Sequence, residues 1–459
     1  MRSRIRNEVR KGKSSIKDFF IRIKTRDFSG YKGIAIKNST LQFVRNITTK
    51  VGGLIFTIMI ARLLMPELYG LYGLINATLS LIGGFFTFSL AALLITYLSG
   101  NLESRPRKAK AYLNYIFKAK VILLFFSVFI IIFSARWLAG GYYQKPIYLG
   151  LLAGSLYYLI VNISNFIIPI FTSNNDFKIP FYQEIILQIL KLTLVPIFLV
   201  FFIKRLGSPD KILFFMFLVL AVTFIIPGIY LFITYRKRSK LFKIKPEKLT
   251  RSEIKAFWLL VLPIAFMNLS GIFFGYIDSI MLGHYLPAVQ IGFYSAALVL
   301  VTSVIALVSF SSSALLPIFS RLKGKKLDRG LKKAQKIMFL ISCALFVITF
   351  FVAGIFILII YGKEYHQSIT YLRILSLLLI VTPIISLYET YFISQKNIKV
   401  VAKILILSTI LNVLLNYVLI NFGLKLGHNF AVIGAALATV FSRYFYFFGL
   451  WVSKKFHKA

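Results

Sequence analysis

Twelve apolar stretches, each long enough to cross a bilayer, divide almost the whole of this 459-residue chain. They lie at 41–64, 71–98, 112–138, 148–171, 181–203, 212–234, 257–283, 289–317, 335–361, 368–390, 399–421 and 430–452. A helix rises 1.5 Å per residue, so about 20 residues span the roughly 30 Å hydrocarbon layer. Backbone polar groups in that layer must be satisfied within the segment, so runs of this length fold as helices. The chain is therefore expected to be an all-α integral membrane protein of about 12 transmembrane helices. Its hydrophobic share, 58%, exceeds the roughly 45–50% usual in soluble domains.

The charges fix the expected topology. Lys and Arg total 55 against 14 Asp and Glu, a net charge of +41. In a soluble protein that excess would suggest nucleic acid. Here the basic residues fall between apolar runs, which points to membrane topology and anionic lipid headgroups, with no nucleic-acid partner. With the N-terminus in the cytoplasm, inner segments carry roughly 40 Lys and Arg and outer segments roughly 8. Both termini are accordingly expected on the cytoplasmic side of the cell membrane. The first 40 residues are basic and lack a long apolar core, so no cleavable signal peptide is expected. Ile16, Phe19, Phe20 and Ile23 fall at helical spacing there, compatible with a helix on the membrane surface or with a basic tail.

The longest internal connection, 235–256, is basic and separates two sets of six spans. The expected organisation is a basic N-terminal segment (1–40), a first lobe (41–234), a linker (235–256), a second lobe (257–452) and a short tail (453–459). The two sets look duplicated. Gly70-Leu71-Tyr72 recurs 222 residues later as Gly292-Phe293-Tyr294. The basic stretch from Ser104 to Lys110 has a counterpart at Arg321 to Lys333, and the segment from Phe171 to Ile179 matches that from Phe392 to Val400. Six spans per repeat is even, so the repeats are parallel and related by an axis along the membrane normal. Two such lobes are expected to enclose a central cavity.

Polar residues inside the spans mark that cavity, because a charge at mid-bilayer costs about 2.5–3.5 kcal/mol unless it finds water or a partner. On the first span Gln42, Arg45, Asn46, Thr49, Lys50 and Gly53 fall within an arc of about 140°, opposite Phe43, Val44, Ile47 and Val51. This cationic face is expected to line a wet cavity; the alternative is that Arg45 and Lys50 extend to the inner headgroups. The seventh span carries Asn268, Gly271, Gly275, Asp278 and Ser279 in one stripe. Asp278 suits an ion-coupling or gating group, with H⁺ or Na⁺ as the ion and no other cofactor, or else a structural pair with a Lys or Arg. Glu184, Gln188 and Lys191 on the fifth span, and Ser408, Asn412 and Asn416 on the eleventh, form equivalent stripes facing the lobe interiors. Lys191 and Asn412 are candidate substrate contacts, though such residues also hold helices together. Periodicity does not orient Arg373 and Arg443. Gly52-Gly53, Gly83-Gly84 and Pro169, Pro196, Pro227 and Pro383 suit close packing or kinks.

Catalytic patterns are missing. There is no Walker A loop, no GxSxG and no DxD, and the four His (His284, His366, His428, His457) have no metal-ligand spacing. Cys343 is the sole cysteine. A transporter rather than an enzyme is expected.

The segment Ala61-Arg-Leu-Leu-Met-Pro-Glu-Leu-Tyr-Gly-Leu-Tyr-Gly73 resembles the first hairpin of polysaccharide-biosynthesis flippases of the multidrug/oligosaccharidyl-lipid/polysaccharide (MOP) exporter superfamily. So do Tyr276-Ile-Asp-Ser-Ile-Met-Leu-Gly283 and Val289-Gln-Ile-Gly-Phe-Tyr-Ser-Ala-Ala297. The resemblance extends from about Thr40 to Trp451; on hairpin geometry alone Gly70 and Gly292 would sit at tight turns. It implies an O-antigen-type flippase that moves a polyprenyl phosphate or diphosphate oligosaccharide from the inner to the outer leaflet by alternating access, for surface polysaccharide biosynthesis, working with membrane lipids and other glycan-biosynthesis proteins. Lipid II flippases of the superfamily carry cavity cations on the first helix, and Arg45 and Lys50 hold similar positions. Their two extra helices are absent here, which disfavours lipid II as cargo. The alternatives are a multidrug exporter of the same superfamily, a membrane glycosyltransferase or polymerase, and a passive scramblase.

Overall fold

A computed structural model describes residues 30–87, 90–313 and 315–456. The segment holding Ile16 to Ile23 and residues 457–459 lie outside the described residues. Among the described residues every regular element is helical. In chain order these are α1 (Gly30–Thr87), α2 (Leu90–Asn101), α3 (Pro106–Trp137), α4 (Tyr148–Phe166), α5 (Ile168–Ser173), α6 (Lys178–Phe202), α7 (Pro209–Arg238) and α8 (Lys240–Lys243). There follow α9 (Arg251–Tyr285), α10 (Ala288–Ser313), α11 (Leu316–Arg321), α12 (Gly324–Ile360), α13 (Ser368–Leu375), α14 (Leu378–Ser394), α15 (Ile398–Leu424) and α16 (His428–Phe456).

Among the described residues ten helical stretches are long and apolar enough to cross a membrane. The first, Lys37–Phe86, is 50 residues long, far beyond a single crossing. It is two arms joined at Met65, whose φ of 61° and ψ of 168° break the helix. Pro66 follows, where the second arm's first turn needs no amide donor. The expected loop at 65–70 is therefore a one-residue corner. The 35-residue α9 brings the crossings to twelve. The protein is a multi-pass membrane protein, and its exterior agrees: Phe133 is 81% exposed and Phe351 74%, sites suited to lipid rather than water.

The apolar core is one body at one end of the bundle and two at the other. At the end away from the chain termini, a single cluster draws on both sets of helices, from Phe56 and Leu71 to Tyr294, Tyr361 and Leu372. Toward the termini it divides. One cluster joins α2, α3 and α5 with Phe257 and Val261 at the start of α9, and another joins α11 and α12 with α14 to α16. The central cavity expected from the sequence falls between these two clusters.

Gly70 and Gly292 do not occupy turns. Both lie inside helices, where the two sets of six meet. A Cβ on Gly70 would collide with the Ala288 carbonyl, and one on Gly292 with the Pro66 carbonyl. The contact is reciprocal: each glycine and the carbonyl facing its partner are displaced by the same 222 residues. The sequence duplication is thus expressed as a pseudo-two-fold glycine-to-backbone contact.

Near the termini the start of α9 is tied to α3. Glu253 closes a capping box with Thr250 and pairs with Lys108, while the Glu247 amide donates to the Arg107 carbonyl at 3.4 Å. The Lys108 ammonium, hydrogen-bonded to Glu253, holds its carboxyl below the usual range. A depressed carboxyl stabilises the fold above its unfolded value, and that contribution disappears as pH falls through the lowered one. Glu253→Gln is expected to lower the melting temperature at pH 7, where the paired carboxylate contributes, and to converge with the wild type in acid, where that contribution is already lost, as read by heat unfolding at both pH values. An identical acid loss in the variant would mean that other carboxylates carry it.

Candidate substrate cavity and buried polar clusters

The first arm of α1 borders the cavity because little packs on its terminal half. Thr49 and Lys50 are exposed and Arg45 and Asn46 half-buried. Gly53 has open space where a side chain would be. Phe43, Val44, Ile47 and Val51 on the opposite face are also exposed, at 39–44%. The arm is a wall with a polar face toward the cavity and an apolar face suited to lipid.

Arg45 is not a lone cation. Its Nε lies 4.0 Å from Glu184 Oε2, and Glu184 Oε1 accepts from Gln188 Nε2 at 2.7 Å. Gln188 reaches the backbone of α1 because Gly52 leaves room for it. One turn further along α6, Lys191 Nζ sits 4.0 Å from the centre of the Phe56 ring, a cation–π contact. Lys50 has no carboxylate partner among the described residues. The first-lobe cluster thus sets three cations, Arg45, Lys50 and Lys191, against Glu184, leaving this wall cationic.

α9 forms the facing wall. Asn268 is exposed, and Gly271 and Gly275 have open space where a Cβ would stand. Asn46 and Asn268 are 222 residues apart, as are Gly53 and Gly275, so the two walls are repeat equivalents. Neighbouring positions of this stretch of α9 are packed: Ile272 meets Gly84, Phe273 packs on Phe85, and Thr409 Oγ1 donates to the Ser270 carbonyl at 3.4 Å.

Asp278 lies at the edge of this wall but is enclosed, 3% exposed. Tyr294 donates its hydroxyl to Asp278 Oδ2 at 2.5 Å, Asn416 Nδ2 to Oδ1 at 2.7 Å, and Thr439 Oγ1 to Oδ2. Three donors satisfy most of a carboxylate's acceptor capacity. Asn412 is fully enclosed in the same place, its Nδ2 donating to Ser442 Oγ at 3.2 Å. The structure therefore puts Asn412 with Asp278 inside the second set of helices, away from Arg45, Asn46, Thr49, Lys50 and Asn268. Arg443 lies over the Phe274 ring at 3.8 Å and acts electrostatically on both Asp278 and Glu389; Glu389 accepts from Tyr446 at 2.8 Å. Arg373 is elsewhere, 5.9 Å from the Phe350 ring beside α12.

Residue-by-residue reading missed the Arg45–Glu184 pair and the partners of Asp278 on α10 and α16. A signal existed for the latter: Thr439, Ser442, Arg443 and Tyr446 recur at i, i+3, i+4 and i+7, a polar stripe on an apolar helix.

The end away from the termini is closed by contacts across the two sets. Arg62 donates through Nε to the Ile360 carbonyl at 2.7 Å and through Nη2 to Ile359. Tyr365 donates to the Ala61 carbonyl at 2.7 Å, and Lys145 Nζ to the Gly283 carbonyl at 2.5 Å. Arg62 thus caps the C-terminal end of α12, where backbone carbonyls lack helical partners and the dipole favours a cation.

Comparison with known proteins agrees with this fold. Residues 35–323, more than half of the chain, match the family model described as polysaccharide biosynthesis protein, and residues 263–418 match the MatE model. No curated protein matches the sequence. Among solved structures, the lipid II flippase MurJ in an inward closed conformation is 16% identical, with a TM-score of 0.68 over 92% of this chain and 87% of that one. A multidrug resistance MATE family transporter of the MOP superfamily, inward-facing, is 15% identical, with a TM-score of 0.65 over 89% and 96%. A Vibrio cholerae MATE transporter is 13% identical, with a TM-score of 0.53 over 93% and 98%. At these identities the likeness is one of fold.

Proposed function

Because this chain belongs to the polysaccharide biosynthesis protein family, we propose that it is a flippase for a lipid-linked oligosaccharide, carrying a polyprenyl phosphate or diphosphate headgroup from the inner to the outer leaflet. The observation that carries this reading is the cationic wall: Arg45, Lys50 and Lys191 are opposed by Glu184 alone among the described residues. An anionic headgroup is the complementary cargo, held by charge-assisted hydrogen bonds. The two acids enclosed within the second set, Asp278 and Glu389, sit behind hydroxyls and amides, which disfavours direct recognition of a cationic drug.

The positive-inside bias puts the termini, and with them the open end of the cavity, on the cytoplasmic side. The headgroup enters there while the prenyl chain stays in lipid beside the apolar face of α1. Rocking of the lobes about the pseudo-two-fold axis then breaks the Gly70 and Gly292 contacts and opens the outer end. Asp278 is the coupling group in this scheme. Its neighbours Asn412 and Asn416 each keep a buried amide oxygen without a hydrogen-bond partner, so an arriving H⁺ or Na⁺ meets a carboxylate flanked by two acceptors. The MatE match over 263–418 supports a second reading, a multidrug exporter, in which the Asp278 cluster does the same work for a different cargo.

The test is flipping of a fluorescent polyprenyl-diphosphate oligosaccharide in proteoliposomes. The wild type is expected to flip it, and Arg45→Ala/Lys50→Ala to lose at least about tenfold in rate, corresponding to about 1.4 kcal/mol. Wild-type protein that flips no prenyl carrier but exports cationic dyes would overturn the flippase reading. Equal flipping by both proteins would keep the reading and remove the cationic wall as its site.

A further inference from the structure

A second cavity lies apart from the space between the lobes, and it does not depend on the flippase reading. It encloses about 300 Å³, with walls that include Lys110, Asn114 and Phe117 of α3, Phe166 of α4, Tyr235 of α7 and Phe242 of α8. That volume is at the small end of the range of roughly 300–1,000 Å³ for ligand pockets. We propose that it binds one membrane phospholipid with an anionic headgroup, its phosphate at Lys110 and part of an acyl chain along Phe117 and Phe166.

The mouth is cationic and the depth apolar. Lys110 Nζ donates to the Tyr235 hydroxyl at 3.1 Å and pairs with no carboxylate among the described residues. An ammonium has three donors, so the headgroup finds others free. Two cations approach the Phe242 ring, Lys110 Nζ and the Arg236 guanidinium, each 5.9 Å from its centre. Further in, Phe117 and Phe166 pack ring against ring with centroids 5.3 Å apart. Phe117 is 42% exposed and Phe232, also on the wall, 51%, so the groove opens sideways to lipid rather than to the cavity between the lobes. The contacts between α3 and α9 are made by other residues, Lys108 on Glu253 and Tyr115, which accepts from Trp258 Nε1 at 2.8 Å. The groove also sits beside the most basic connection in the chain, where a negative leaflet surface attracts Lys and Arg.

An occupant there would complete the seat of α8. Phe242 packs on Tyr235 with centroids 5.7 Å apart, and the chain from α8 leads directly to the α3–α9 ties. The bound lipid would thereby hold the connection between the lobes.

The experiment is native mass spectrometry of detergent-purified full-length protein offered phosphatidylglycerol and phosphatidylcholine with matched acyl chains. The wild type is expected to keep one phosphatidylglycerol with at least a tenfold preference. Lys110→Gln should abolish the preference, and Phe117→Trp, which fills the groove, should weaken retention of both lipids. Lys118→Gln, exposed on the next position of α3, should change neither. Heat unfolding identifies any variant that fails to fold, and Lys110→Gln, which conserves length and polarity, carries the test by itself if Phe117→Trp does. Equal retention of the two lipids, or a preference that survives Lys110→Gln, overturns the site. Displacement of phosphatidylglycerol by a polyprenyl phosphate that phosphatidylglycerol cannot displace in return overturns the phospholipid assignment and gives the groove to the cargo's tail.

Discussion

Gly292→Ala is expected to open the sealed end of this protein. The added Cβ would overlap the Pro66 carbonyl, a backbone group that cannot rotate away, so α10 and the second arm of α1 must separate. Gly70→Ala should act the same way through the Ala288 carbonyl. A residue held at the interface reports the change: Ala61 is fully buried, and its carbonyl accepts from Tyr365. In a Cys343→Ser background, Ala61→Cys should be labelled by a membrane-impermeant maleimide at least about tenfold faster when either glycine is replaced, a shift of about 1.4 kcal/mol in the closed–open balance. Transport should fall in parallel, because a cavity held open outward reloads poorly. Gly100→Ala is the control, since nothing lies within 4 Å of that position. Unchanged labelling in both glycine variants would show that the lobes slide to absorb a methyl group and that the contact is not the seal.

Asp278→Leu should be the most destabilising single change in the second lobe. It strands the Tyr294 and Thr439 hydroxyls and the Asn416 amide in an enclosed site, and it removes a negative charge acting on Arg443. Each buried polar group left without a partner costs about 1–3 kcal/mol, and loss of one member of a buried charged set about 3–5 kcal/mol. The melting temperature in detergent should drop sharply and the monodisperse fraction shrink. Asp278→Asn separates structure from coupling. It keeps the shape and an acceptor oxygen, so it should fold, but it holds no charge to exchange with a cation. Its flipping rate should then ignore an imposed H⁺ or Na⁺ gradient. A gradient response that persists in Asp278→Asn would place coupling elsewhere, and an unchanged melting temperature in Asp278→Leu would mean that the cluster contributes little to the fold.

These two positions also show how legible the protein was. The recurrence of Gly70 and Gly292 is plain in the chain, but its meaning was not: a glycine at a helix end reads as a turn until the backbone pressed against it is known. Asp278 was legible as an intramembrane acid, and Asn412 and Asn416 as a polar stripe, because charge and periodicity belong to single helices. That Asn412 and Asn416 belong with Asp278, and that Asn412 is enclosed rather than on the cavity wall, depends on α15 lying beside α9. Arg45 and Glu184 likewise stood out separately; their pairing requires α6 to pack on α1, which Gly52 permits at Gln188.

What the sequence by itself determined are the properties carried by one segment at a time. Apolar length set the twelve crossings, the 222-residue repeat set a two-fold arrangement, and the polar arc on the first arm set a cationic face. Only the tertiary structure decided which polar residues face open space and which are locked inside a lobe, and which end of the cavity is shut. The reason is geometric. Periodicity gives a side chain's direction around its own helix axis, whereas burial depends on which neighbour occupies that direction, and in a bundle of similar apolar helices many neighbours would fit.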